Sequence, residues 1–186
     1  MNNKSQFDSI MLDWETMGTG PQAAVIQLGS AAFNSTTGET DERQDFLSDI
    51  DLVSSLMLGG YTDASTVQWW RERGGFPSTG PARDLRQVLI MFAEWVKRYP
   101  SVERVWAQGA SFDIALAEGY YRSAKLECPW AYHAGRDTRT IYDEAKRRGW
   151  TKPKADVAHE AREDCRQQIK TLMSAFAALR EQVPKS

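Results

Sequence analysis

The sequence predicts an α/β fold in which a mixed central sheet, with an antiparallel three-strand meander at its N-terminal end, is flanked by helices. Three observations support this fold class. The first 50 residues alternate apolar runs with turns rich in Gly, Pro and Asn, the middle of the chain takes up helical periodicity, and short apolar segments separate the later helices. A chain of 186 residues with 41% hydrophobic side chains suits one domain, residues 1–186.

The meander is predicted from three apolar segments. Strands are expected at residues 9–16, 23–33 and 43–50, and the intervening segments 17–22 and 34–40 have turn composition. Two shorter strands are expected later in the chain, at residues 102–107 and just before Arg136. Three antiparallel strands followed by alternating helices and strands indicate a mixed sheet flanked by helices.

Five helices are predicted after the meander. Ser65 or Thr66 is expected to cap the first, and Pro81 to open the second. Ser111 is expected to cap the third, which places Asp113 in its first turn. The last four of these helices are expected at residues 82–98, 112–125, 138–148 and 160–181.

Bulk properties limit the location of the protein. No apolar run approaches about 18 residues, so neither a membrane span nor a signal peptide is expected. Cys128 and Cys165 lack metal-type spacing, and a reducing cytoplasm fits two unpaired thiols. The expected location is therefore the cytoplasm.

Charge is distributed unevenly along the chain although the net charge is only −2. Residues 1–63 carry ten acidic and two basic side chains, whereas residues 136–154 carry seven basic and three acidic ones. This division suits a cleft that binds metals at one end and phosphates at the other. The alternative for the basic segment is a solvated helix face.

Asp13 and Glu15 are the first candidate metal ligands. Residues i and i+2 of a strand point to the same face, where two carboxylates repel each other unless cations lie between them. Mg²⁺ and Mn²⁺ prefer such oxygen ligands. Asp113 follows a predicted strand and a Gly-containing turn, so it is a further candidate, although a helix N-terminus also favours an acid without any metal.

His159 and Asp164 complete the candidate set. A spacing of five residues is about 140° of rotation on a helix, so the two side chains would not share a face of a continuous helix. The geometry works if His159 lies on the loop before the last helix and Asp164 in its first turns. His133 has no acidic neighbour at a comparable spacing, and we interpret it as a structural side chain.

These motifs together resemble the DEDDh class of 3′–5′ exonucleases. Asp13-Trp14-Glu15-Thr16 is similar to the first motif of the class, Phe112-Asp113 to the second, and His159-x₄-Asp164 to the third. Further segments look like those of a small phage and bacterial subgroup related to a mycobacterial exoribonuclease: 17–21 leading into 24–29, 66–70, 105–110 and 136–140. One departure is Gln108, which stands where the second motif usually has asparagine.

The resemblance implies a ribonuclease-H-like fold and two divalent metals, Mg²⁺ or Mn²⁺. Asp13, Glu15 and Asp164 would hold one metal, and Asp13 with Asp113 the other, while His159 would act as general base. The implied reaction releases nucleoside 5′-monophosphates from DNA or RNA, single-stranded or with a 3′ overhang. Relatives also suggest a homodimer, and the resemblance to the phage and bacterial subgroup implies the cytoplasm of a bacterium or of a phage-infected cell.

Substrate contacts are predicted for seven residues. Backbone and side-chain groups of Thr16 and Met17 would contact the terminal nucleotide, and Gln108 would supply an amide. Trp69 and Trp70 are candidates for base stacking, with core packing of at least one ring as the alternative. Arg136 and Arg139 are candidates for phosphate contacts.

Two other functions stay open, a catalytically silent nucleic-acid binder and a metal-dependent endonuclease or phosphatase. The complete five-residue set argues against the silent binder.

Overall fold

One mixed sheet of five strands runs through the computed structural model, which describes residues 6–154 and 159–181. The strands are β1 (Ser9–Thr16), β2 (Val25–Phe33), β3 (Phe46–Asp49), β4 (Arg104–Ala107) and β5 (Gly135–Asp137). Their order across the sheet is β3-β2-β1-β4-β5. β1, β2 and β3 pair antiparallel, whereas β4 pairs parallel with both β1 and β5. The predicted mixed sheet with its N-terminal meander is confirmed.

Helices cover both faces of this sheet. They are α1 (Leu52–Met57), α2 (Ala64–Glu72), α3 (Leu85–Val96), α4 (Asp113–Ser123), α5 (Thr138–Arg147) and α6 (Ala161–Glu181). Ile10, Leu12 and Trp14 of β1 pack in a core with α3 and α4. Met11 points to the opposite face and packs with α5 and α6. Because side chains alternate along a strand, residues 13 and 15 lie on the α6 face and Trp14 on the other.

The third strand is shorter than predicted. The prediction of residues 43–50 is wrong at its start, because a short 3₁₀ helix occupies Glu42–Gln44. Only Phe46–Asp49 pairs with β2. The residues before Phe46 are mostly charged or amide side chains, so they offer little apolar surface to the sheet. Helix α1 was not predicted, since six residues are too few to show a helical period.

The residues predicted to start or cap three helices are wrong, because other residues occupy the N-cap positions. Asp63, in extended conformation, precedes α2 in place of Ser65 or Thr66. Asp84 caps α3 by accepting a hydrogen bond from the Gln87 backbone N–H, so Pro81 lies outside that helix. Phe112 precedes α4, and Ser111 does not cap it. Asp113 is nevertheless in the first turn as predicted.

The single-domain prediction includes residues 1–5, 155–158 and 182–186, which lie outside the described part of the chain, and it stays a prediction. Cys128 and Cys165 are both free thiols. Among the helices of the described residues, none is long and apolar enough to cross a membrane.

Candidate active site

The candidate site lies where the C-terminal ends of β1 and β4 meet on the α6 face. Asp13 and Glu15 lie near the C-terminal end of β1. β4 runs parallel to β1 and leads through a turn to Asp113, the first residue of α4. Parallel neighbours bring their C-terminal ends to the same edge of a sheet, which is where ligands gather in α/β folds. The sheet therefore places the first two predicted motifs side by side.

Helix α6 brings the third motif to the same edge through a close approach to β2. Gly29 of β2 lies opposite Asp13 of β1. A Cβ placed on Gly29 would collide with the backbone of Ala161 and Arg162, the first two residues of α6. Only glycine allows a helix backbone this close to the strand. The absence of a side chain at Gly29 thus sets how near Asp164 comes to Asp13.

Replacing Gly29 by Ala is expected to destabilise the fold by about 1–3 kcal/mol, because the α6 N-terminus must move to relieve the collision. The same movement should lower activity. Gly119→Ala is the matched control, since a Cβ on Gly119 of α4 meets no atom within 4 Å. That control should stabilise the protein by about 0.5–1 kcal/mol. Urea unfolding of both variants checks the pair, and equal stabilities would contradict the packing argument.

His159 lies on the loop before α6, in the left-handed region of backbone conformation, with φ +48°. Its ring packs edge-to-face against Trp69, with centroids 4.8 Å apart. A non-glycine residue in this conformation is uncommon and persists where its surroundings hold it. The structure thus places His159 outside the helix that carries Asp164, as predicted.

The carboxylates repel each other in a poorly solvated site. Burial, together with the charges of Asp113 and Glu15, raises the pKa of Asp13 well above its usual range. Burial raises the pKa of Glu15 to about 8, and the charges of Asp164 and Asp113 add to that shift. Burial also raises the pKa of Asp113 to about 7, against hydrogen bonds from two backbone amides and the charge of Arg139. The cluster is therefore held at an electrostatic cost that bound cations would offset.

The donor set fits divalent cations. Potential ligand atoms of Glu15, His159 and Asp164 all lie within 4.8 Å of one another. Carboxylate oxygens suit Mg²⁺ and Mn²⁺. The structure thus brings the predicted acids and histidine to one edge of the sheet.

Two glutamines that sequence reasoning missed support the site. Gln168, one turn after Asp164 on α6, donates from Nε2 to Asp13 Oδ1 at 2.7 Å. Gln27 of β2 accepts from the Ala161 backbone N–H at 2.9 Å and donates to Asp49 at 2.6 Å. Gln27 is completely buried. These amides hold the Asp13 carboxylate and the start of α6 in place. The one signal of either glutamine in the sequence is that Gln168 follows Asp164 by four residues, which puts both on the same face of a helix.

A cleft of about 370 Å³ opens beside Glu15, on the α2 side of the carboxylates. Its walls include Thr16, Trp69 and Trp70. Trp70 is only 4% exposed and donates its indole N–H to the Thr16 carbonyl oxygen at 2.9 Å. Base stacking on Trp70 is therefore a wrong prediction, because its ring is packed in the core. Trp69 is half-buried, and the Arg73 guanidinium lies 3.9 Å from its ring centroid.

Met17 lies behind this cleft. Its side chain is 5% exposed and packs with Trp70. Its backbone N–H donates to the Ala24 carbonyl, and its carbonyl accepts from the Asp63 N–H. These bonds occupy the backbone groups of Met17 that were predicted to contact a nucleotide.

On the opposite side of the carboxylates, the β4–β5 side, lie the remaining predicted contacts. Gln108 accepts a hydrogen bond from Lys152 Nζ at 2.9 Å. The Arg139 guanidinium lies against Gly109, where a Cβ would be 3.0 Å from its Nη1. Arg136 donates through Nη1 to the carbonyls of His133 and Gly135, so part of its guanidinium is engaged by its own loop.

Known structures share this architecture. Cell-death related nuclease 4 (CRN-4) superposes with a TM-score of 0.67 at 18% identity, covering 94% of this chain and 65% of that one. The nuclease domain of 3′hExo, described as a DEDDh family member bound to rAMP, gives 0.61 at 13%, covering 96% and 94%. The S. pombe protein Pop2p, in a form with Mg²⁺ and Mn²⁺ bound, gives 0.51 at 12%, covering 97% and 87%. No curated protein matches the chain.

The fold is therefore α/β and ribonuclease-H-like, as the sequence predicted. Residues 8–176 match the family model described as the 3′–5′ exoribonuclease Rv2179c-like domain. The chain belongs to this family and is a 3′–5′ exonuclease.

Proposed function

We propose that the protein removes nucleotides one at a time from the 3′ end of single-stranded or 3′-overhanging RNA, releasing nucleoside 5′-monophosphates. The observation that carries this proposal is the edge where ligand atoms of Glu15, His159 and Asp164 lie within 4.8 Å of one another, next to the half-buried Asp13 and the buried Asp113. RNA is proposed as the substrate because the matching family is described as exoribonucleases.

Two divalent cations, Mg²⁺ or Mn²⁺, are proposed as cofactors. Asp13, Glu15 and Asp164 would hold one, and Asp13 with Asp113 the other. When bound, they supply neutralisation of the phosphate charge and a more acidic water. The raised pKa values of Asp13, Glu15 and Asp113 support this assignment, because anionic forms of all three need a compensating positive charge.

His159 is proposed to take the proton of the attacking water. A general base must lie within reach of the reacting atoms and be free to accept a proton. The His159 loop conformation and its contact with Trp69 direct the imidazole to the edge occupied by Glu15 and Asp164. The Asp164 carboxylate lies near this imidazole. Asp164 belongs to the first turn of α6, whereas His159 belongs to the loop before it.

The terminal nucleotide is proposed to occupy the cleft lined by Thr16 and Trp69. Its walls combine an aromatic side chain with several hydroxyls, those of Thr16, Thr19, Ser65 and Thr66. Such a mixture suits the stacking of a base and hydrogen bonds to a sugar, without selection among bases. The phosphodiester on the 5′ side of this nucleotide would then lie over the carboxylates.

The proposal is tested with matched RNA and DNA oligonucleotides labelled at the 5′ end, in Mg²⁺, Mn²⁺ and EDTA. We expect a ladder that shortens stepwise from the 3′ end with either metal, none in EDTA, and faster loss of the RNA. Mass spectrometry should identify nucleoside 5′-monophosphates. Internal cuts would point to an endonuclease, release of phosphate alone to a phosphatase, and binding without cleavage to a silent module.

A further inference from the structure

Two cations beside the carboxylates have no role in the chemistry proposed above. We call Arg139 and Lys152 the cationic edge. Lys152 donates from Nζ to Gln108 at 2.9 Å, and Arg139 packs on Gly109, so both flank the turn between β4 and α4. Gly109 has φ +126°, which glycine adopts readily and other residues rarely do. The turn that leads to Asp113 therefore also holds the cationic edge.

The cationic edge holds two positive charges close together, and the charge of Arg139 also reaches the Asp113 carboxylate. Among the described residues, neither Arg139 nor Lys152 forms an ion pair. Burial and the charges of Lys146 and Arg139 lower the pKa of Lys152. Since the Gln108 amide oxygen is a neutral acceptor, it orients the ammonium without cancelling its charge, and Lys152 keeps further donors. An anion at this position would relieve the repulsion.

The position of the cationic edge relative to the cleft indicates which anion would bind there. The cleft lies on the α2 side of β1, whereas Gln108 and Arg139 follow β4 and β5 on the other side. The carboxylates of β1 lie between these two regions. A strand whose last nucleotide fills the cleft must therefore continue on the β4–β5 side, across the cationic edge.

We propose that Arg139 and Lys152 bind the phosphate next upstream of the scissile one, so that the strand enters over the Gln108–Gly109 turn. This inference rests on the proposed exonuclease polarity. It extends the prediction for Arg139 to a defined phosphate, and it adds Lys152, which no motif indicated. It also gives Gln108 a function: its amide reaches Lys152 and sets the position of the ammonium.

The test compares a ribodinucleotide that lacks a 5′-phosphate with the same dinucleotide that carries one. The first has only the scissile phosphate, and the second also has the upstream one. With the complete protein and Mn²⁺, we expect the 5′-phosphate to lower KM about tenfold, as charge-assisted hydrogen bonds typically allow. Lys152→Gln should remove most of this difference. The readout is the ratio of the two KM values, so a general loss of activity cancels.

Lys97→Gln is the matched control. Lys97 follows α3, on the sheet face opposite to Asp13 and Glu15, and the substitution makes the same charge change. It should keep the wild-type KM ratio. A wild-type protein without preference for the 5′-phosphate, or a Lys152→Gln protein that keeps it, would overturn the cationic edge.

Equilibrium binding separates this inference from the proposed function. Fluorescence anisotropy of a labelled oligonucleotide in EDTA needs no cleavage. Lys152→Gln should bind more weakly and reduce the slope of log affinity against log salt by about 0.7. If the wild type cleaves nothing but this binding loss is found, the exonuclease proposal fails while the phosphate contact stands. Equal binding and slope in both proteins would reject the contact itself.

Discussion

Replacing Asp13 by Asn is expected to lower the exonuclease rate by about 10³-fold or more, because metal-dependent charge stabilisation supplies several kcal/mol of a phosphodiester hydrolysis barrier. Asp13 is the acid most surrounded by others, with Asp113, Glu15 and Asp164 all acting on its pKa. Asn keeps an oxygen that can accept the hydrogen bond from Gln168, so the side chain should stay in place. The variant thus removes charge rather than shape.

The same variant should be more stable than the wild type in EDTA at about pH 8, since it removes a member of a repelling group. Initial rates on a labelled oligonucleotide and thermal melts in EDTA check both expectations. Asp143→Asn is the control, because Asp143 is exposed on α5 and its ion pair, with Lys146 at 3.4 Å, is on the surface of the same helix. An Asp13→Asn protein that retains a tenth of the wild-type rate would show that this acid does not hold a catalytic metal.

Replacing His159 by Ala is expected to lower kcat by about 10²- to 10⁴-fold, the range for loss of a general base. Metal binding should persist, since four carboxylates remain. The rate of cleavage is measured with the labelled oligonucleotide described above, and Mn²⁺ binding is measured by calorimetry. His159 lies within ligand distance of Glu15 and Asp164, so the calorimetric arm is needed to separate a base from a ligand.

His133→Ala provides the comparison for the base assignment. His133 is exposed, and its ring contacts Tyr132 at right angles, with the two centroids 5.1 Å apart. The variant should retain the wild-type kcat. If it loses activity while His159→Ala does not, the wrong histidine has been assigned; if His159→Ala loses Mn²⁺ binding as well, the imidazole acts as a ligand.

The sequence could predict those parts of the site that local patterns encode. Strand alternation put Asp13 and Glu15 on one face, and the five-residue spacing put His159 off the helix of Asp164. Trp14, the bulky residue between the two acids, is 4% exposed and lies in the core on the opposite face, as alternation requires. These features depend on residues a few positions apart, where periodicity is informative.

Contacts between distant parts of the chain were not predictable in this way. Gln168 meets Asp13 across 155 positions, and Lys152 meets Gln108 across 44. Gln27 meets Ala161 across 134. A buried Gln in a strand has no local signature, and its partner is set by the register of β2 and by the close approach at Gly29. The predicted N-cap residues were wrong for a related reason. Several polar residues near each helix start can act as the cap, and tertiary contacts decide which of them does.

The pH dependence of stability follows from the same carboxylates. A carboxyl group whose pKa is raised in the folded protein binds its proton more tightly there than in the unfolded chain. Its stabilising contribution is present below its ordinary pKa and is lost as the pH rises through the folded value. For Glu15 these limits are 4.5 and about 8, and the raised pKa values of Asp13 and Asp113 act in the same direction.

The melting temperature of the protein, measured from about pH 5 to about pH 8.5 with EDTA or with Mn²⁺, tests the metal-site assignment most directly. We expect the melting temperature in EDTA to fall across this range by several degrees, and Mn²⁺ to restore it at the alkaline end. A melting temperature in EDTA that stays level or rises, together with no effect of Mn²⁺ at about pH 8.5, would contradict the assignment of these carboxylates as a divalent metal site.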